Sequence, residues 1–160
     1  MKRLFAAAVF LFLATCSTAF PYQFEDYQWG SAIGNVSDQV AQKGKTLIGE
    51  ASDEIEYKDQ ILDLECTVNL VFTPKTKLLW SITVIWNDAG TVDKMLKILT
   101  DKYGKPQIRG IYYRWGDPSN DCILLYVEKS QTKLIYYGKG LINQYKKELD
   151  ELEAKDKGKF

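Results

Sequence analysis

The chain has 160 residues, with 21 basic and 21 acidic side chains in balance and no histidine. A chain of this size can bury a real core without help from disulfides. Balanced charge leaves no electrostatic footprint for nucleic acid and no basic block for an anionic membrane surface. Without histidine no Ser-His-Asp or Cys-His nucleophile can be assembled, and zinc loses its commonest nitrogen ligand. Carboxylate, lysine or tyrosine chemistry stays open, but no motif points to it, and nothing implies a metal site or a cofactor.

At the N-terminus, Lys2-Arg3 precedes an uninterrupted apolar run from Leu4 to Ala14, with Ser17 and Ala19 three residues and one residue before a cut at Phe20. This is the pattern of a secretory signal peptide over residues 1–19. The run is much shorter than the ~20 residues that a helix needs to cross a bilayer. Leu13-Ala14-Thr15-Cys16 offers a competing processing site, similar to a lipoprotein box, with lipidation at Cys16 and a membrane tether as its consequence. Either way the expected protein is exported, periplasmic or secreted. One α+β domain is expected over residues 20–157, with a frayed tail at 158–160.

Phe20 to Gln28 reads as an extended lead-in around Pro21. Trp29-Gly30 then opens a helix, with Ser31 as N-cap, Ile33, Val36 and Val40 on one face and Gly44 as its stop. Ile55 and Tyr57 mark a short strand, and Lys58-Asp59-Gln60 a turn. A long alternating strand follows from Leu62 to Phe72. After Thr73-Pro74-Lys75-Thr76, the return strand alternates through Leu78, Trp80, Ile82, Val84 and Trp86, which predicts an antiparallel hairpin.

Val92, Met95, Leu96, Leu99 and Tyr103 form an apolar helical stripe that Gly104 and Pro106 terminate. Three strands are expected next, at 107–115, 122–128 and 132–137, and then a helix with Leu141, Tyr145, Leu149 and Leu152 on one stripe. The order predicts an antiparallel sheet with helices packed on one face, built from two tandem helix-then-strands units plus a C-terminal helix.

Cys66 and Cys122 both fall on apolar strand phases, where a disulfide permitted by export and two buried free thiols are alternatives. Asp117, Ser119, Asp121 and Glu128 have the spacing of a calcium loop, but Cys122 stands where the bend needs glycine and a strand pattern follows, so a hairpin turn is the better reading. Asn35-Val36-Ser37 matches a glycosylation acceptor inside the first helix. Tyr113, Trp115 and Tyr137 lie among rings on both strand phases, and core packing competes with an exposed aromatic binding face as their role.

Trp29-Gly30-Ser31-Ala32-Ile33-Gly34-Asn35-Val36, the strand entry Lys77-Leu78-Leu79-Trp80-Ser81-Ile82 and the helix end Asp101-Lys102-Tyr103-Gly104-Lys105-Pro106 resemble a group of small exported bacterial proteins. In layout this group is similar to beta-lactamase-inhibitor-like domains and to the small lipoproteins of the outer-membrane assembly machinery. The resemblance covers most of residues 27 to 137 and implies a binding or scaffolding module with no catalytic residue to transfer. The expected partner is another envelope or extracellular protein, with no nucleic acid, and with a membrane only through a lipid on Cys16. The alternatives are a small hydrolase with two carboxyl groups about 5 to 10 Å apart and an apolar-ligand carrier with a cavity between sheet and helices.

Overall fold

Alternating apolar residues on successive strands place Val68 opposite Val84 and Leu70 opposite Ile82, and this pairing seeds the core of an antiparallel sheet. The structure, a computed structural model, describes residues 22–138 and 140–157. The expectations of a signal peptide, of lipidation at Cys16 and of a frayed tail at 158–160 therefore lie outside the described residues. Helix α1 (Ile33–Gln42) leads into strands β1 (Thr46–Ala51), β2 (Glu54–Ile61), β3 (Leu64–Phe72) and β4 (Leu79–Trp86). Helix α2 (Thr91–Tyr103) leads into β5 (Gln107–Arg109), β6 (Tyr112–Gly116), β7 (Cys122–Glu128) and β8 (Gln131–Tyr137), and α3 (Leu141–Lys157) follows.

All eight strands join one antiparallel sheet in the order β1-β2-β3-β4-β8-β7-β6-β5. Two helix-plus-four-strand units meet where β4 pairs with β8, so the α+β class and the two-unit layout are as expected. One face carries both helices. Val36 and Val40 of α1, and Met95 and Leu99 of α2, share a single buried cluster with Ile55, Tyr57, Val68, Leu70, Ile82, Val84, Leu125 and Leu134. No helix among the described residues is long and apolar enough to cross a membrane.

The Trp29-Gly30 pair has a mechanical explanation. Gly30 takes a left-handed backbone (φ +81°) and donates its amide to Leu79, which ties the lead-in to β4. Trp29 then lies over Gly138, where a Cβ would stand 2.7 Å from the indole.

Several local expectations are corrected. Residues 58–60 belong to β2, and the turn falls instead at Leu62-Asp63, both in the left-handed region (φ 58° and 62°) as a two-residue hairpin of this type requires. β1 is an additional strand. The expected strand at 107–115 is folded back on itself at Gly110-Ile111 to form β5 and β6. A register shift between Val71 and Phe72 buries Leu79 in place of Leu78. Trp80 is freed to stack on Tyr137 and Tyr145. Ala32 occupies the N-cap position of α1 without a side-chain cap, whereas Asp88 serves the start of α2 by accepting from the Gly90 amide and the Thr91 hydroxyl.

Candidate functional site

Because side chains alternate across a sheet, the residues between the core positions project from the face opposite α1 and α2. Strand register arranges them in rows. The central row crosses every strand: Gly49, Glu56, Asn69, Thr83, Ile135, Leu124, Arg114 and Gln107. At the usual spacing between strands, such a row is about 34 Å long. A parallel row holds Lys58, Thr67, Ile85, Lys133 and Tyr126, with the Tyr112 ring edge-on to Tyr126 at 4.9 Å.

Asn69, Thr83, Ile85, Ile135, Leu124 and Tyr126 are all partly exposed, as expected of a sheet face that no helix covers along its middle. α3 meets one end of it. There Tyr145 stacks on Trp80 with ring centroids 4.2 Å apart, and Trp80 in turn packs on Tyr137 at 5.6 Å. Burial pushes the Tyr137 hydroxyl up to about 12, so it stays a neutral donor at physiological pH.

Charge is segregated along the open face. β2 and β3 contribute Glu54, Glu56 and Glu65 against Lys58, whereas β5 to β8 contribute Arg109, Arg114 and Lys133 against Glu128. Between these margins lies the small and aliphatic strip of Thr83, Ile85, Ile135 and Leu124. Asn69 Oδ1 and Arg114 Nε, both on the central row, are out of solvent and find no hydrogen-bond partner among the described residues. An unpaired buried polar atom costs about 1–3 kcal/mol, so this row carries an unmet polar demand.

The three aromatic candidates are not brought together. Trp115 is 3% exposed and lies in the core, where its indole N–H donates to the Gly104 carbonyl at 2.8 Å. Tyr113 shares that face and packs against the same cluster. Tyr137 alone belongs to the opposite face, at the α3 end. Tyr112 and Tyr126, one residue out of phase with Tyr113 and Leu125, supply the open face instead. The missed signal was Gly110, whose turn fixes the phase of the strand after it.

Cys66 and Cys122 are both buried free thiols, which corrects the disulfide alternative. Cys66 faces the helices on the phase of Val68. Cys122 pairs with Tyr137 on the other phase and toward the other end of the sheet. Burial raises both thiols to about 11, so neither is a ready nucleophile.

Glu25, Asp26 and Asp59 gather on the helix side around two lysines. Lys43 Nζ donates to Glu25 at 2.6 Å and also to Asp26, and it lies 4.2 Å above the Tyr27 ring. Burial alone would lower the Lys43 ammonium, but the bonds to Asp26 and Glu25 outweigh it and raise the group to about 12. Lys45 bonds Asp59 at 2.7 Å. Beneath these ions the hydroxyls of Tyr27 and Tyr57 meet at 3.2 Å. The cluster fastens the lead-in segment to the sheet. Asp117 accepts from Ser119 in a hairpin turn, and Glu128 lies at the far end of β7, so the calcium spacing makes no loop. No group of metal-ligating side chains occurs among the described residues.

No family model matches the sequence, and neither the curated proteins nor the solved structures include a significant match to it.

Proposed function

We propose that this chain is an exported, non-catalytic binding module that presents its open sheet face to another protein. One observation carries the proposal: α1 and α2 cover one face of an eight-stranded sheet, while the other keeps a partly exposed apolar strip between an acidic and a basic margin. Such a strip supplies desolvation at its centre, and the opposed margins supply orientation. The resemblance to beta-lactamase-inhibitor-like and outer-membrane assembly lipoprotein domains supports the same role. The apolar run before Phe20 supports export.

A carboxylate hydrolase would need two free carboxyl groups facing across a cleft, yet Glu25, Asp26 and Asp59 are each held by a lysine. A carrier would need an apolar cavity. Among the described residues, the grooves beside β2–β3 and beside α3 are polar, lined by Lys58, Asp59, Gln60 and Glu65, and by Lys75, Thr76, Gln144, Lys147, Glu148 and Glu151.

A photo-crosslinking residue placed at Thr83, in the middle of the open face, should yield one discrete protein adduct in the cell of origin. The same residue at Asp93, exposed on α2, should yield none. Absence of an adduct from Thr83, or the same adducts from both positions, would reject a partner on the open face.

A further inference from the structure

Of the eight large hydrophobic side chains exposed among the described residues, half fall on two neighbouring hairpins: Ile108, Ile111 and Tyr112 on β5–β6, and Val127 near the end of β7. β6 pairs with β7, so the Gly110-Ile111 turn and the Lys129-Ser130 turn lie at the same end of the sheet. Ile108 is 71% exposed and Ile111 64%. Ile108 pairs with Tyr113 and so continues the core phase outward, beyond the last side chains that the helices cover. Such exposure contributes nothing to folding of the monomer, and contiguous exposed apolar surface marks an association site.

Two features decide what kind of surface it meets. The first is shape. Arg109 pairs directly with Tyr112, and only Gly110 (φ +60°) and Ile111 separate them. The result is a tight two-residue turn that projects and offers no groove. β5 itself is three residues long, too short a template for strand addition by a partner.

The second feature is charge. Arg109, the last residue of β5, flanks the Gly110-Ile111 turn, whereas Lys102 and Lys105 lie towards the other end of the hairpin, where Trp115 bonds the Gly104 carbonyl. Lys129 sits in the adjacent turn, where Glu128 is already neutralised by Lys133 at 2.5 Å. A convex apolar tip flanked by Arg109 and Lys129 matches a fluid surface that closes around it, with anions at the depth of the two cations.

We propose that the β5–β6 hairpin tip docks on an anionic lipid surface, with Ile108 and Ile111 entering the acyl boundary and Arg109 and Lys129 lying among the headgroup phosphates. The contact differs from that of the open-face proposal, because the two isoleucines stand at the tip and not in the rows of that face, although Arg109 also belongs to its basic margin.

The test uses the full chain with a polarity-sensitive dye on Ile111→Cys, and a second preparation with the dye on Leu47→Cys at the opposite sheet edge. Both sites are exposed, and Cys66 and Cys122 are buried away from the label. Phosphatidylcholine vesicles containing phosphatidylglycerol should blue-shift the dye at 111 and not at 47, and pure phosphatidylcholine should shift neither. Such a site-resolved signal separates hairpin contact from membrane affinity of the apolar run at residues 4–14. In the dye-111 background, Arg109→Glu should weaken partition by roughly fivefold or more, and Ile108→Ser by a similar factor, with thermal unfolding unchanged. No shift at 111, an equal shift at both positions, or a shift indifferent to lipid charge overturns the proposal.

Discussion

Glu148 of α3 accepts two hydrogen bonds from Thr76 in the β3–β4 turn, one from its backbone amide at 3.1 Å and one from its hydroxyl at 2.6 Å. The Lys75 amide adds a third at 2.8 Å. Together with the stack of Tyr145 on Trp80, these bonds hold the start of the C-terminal helix against the sheet. The clamp departs from the stripe expected of α3 at one point: Leu141, Tyr145 and Leu152 are partly buried as expected, but Glu148 is buried and Leu149 is exposed.

Removing the clamp should therefore loosen α3. Glu148→Ala should lower the unfolding free energy by about 1–3 kcal/mol, the range for losing bonds to a charged acceptor, and Glu148→Gln should lose less. Burial pushes the Glu148 carboxyl upward, but the Thr76 hydroxyl, the Gln144 amide and the two backbone amides outweigh it and hold it at about 2. A carboxyl depressed from its ordinary 4.5 adds stability that is complete above that value and lost as pH falls from there through about 2. Urea titrations followed by tryptophan fluorescence should show this acid loss in the wild type and a flatter profile in Glu148→Ala. Parallel profiles would remove Glu148 from the account.

The thiols give a second prediction. Intact mass should be unchanged by reduction, and a thiol reagent should find Cys66 and Cys122 unreactive until the chain is denatured. Because burial raises both groups to about 11 from an ordinary 9.0, the unfolded chain releases these protons first as pH rises. Stability should be unaffected by these thiols below pH 9.0 and decline from there towards about 11. A decrease of two daltons in the unreduced mass would contradict the free-thiol assignment.

Steric contact between Trp29 and Gly138 supplies a third. A Cβ at 138 would stand 2.7 Å from two atoms of the indole, so Gly138→Ala should cost about 1–3 kcal/mol by overpacking. Trp29→Ala removes the obstructing ring, so the double variant should be less destabilised than the sum of the single ones. Additive losses in thermal or urea unfolding would show that the two residues do not share one contact.

What was legible in the sequence follows from how local each signal is. Period-2 alternation from Leu64 to Phe72 and the stripe Met95, Leu99 reflect burial of one face, so the α+β class and both covering helices could be anticipated. Turn positions were harder to place. Leu62-Asp63 adopts left-handed geometry without glycine or asparagine, and Gly110 lies inside a run that reads as continuous strand. Each misplaced turn changes which face the following residues occupy. That is why Trp115 could be taken for a surface ring, and why the open face, assembled from rows across strands distant in sequence, could not be composed beforehand.

Trp115 and Tyr112 provide the sharpest test of that corrected phase, since they are three residues apart on one strand and belong to opposite faces. Trp115 fills the core beneath the helices and bonds the Gly104 carbonyl at the end of α2. Trp115→Ala should cost about 3–5 kcal/mol and lower the melting temperature sharply. Tyr112, 38% exposed and resting edge-on against Tyr126, should tolerate alanine with a loss of about 1 kcal/mol, in keeping with an exposed aromatic pair. If Trp115→Ala melts like the wild type, or Tyr112→Ala unfolds the protein, the assignment of faces on β6 is reversed, and with it the identity of the open face.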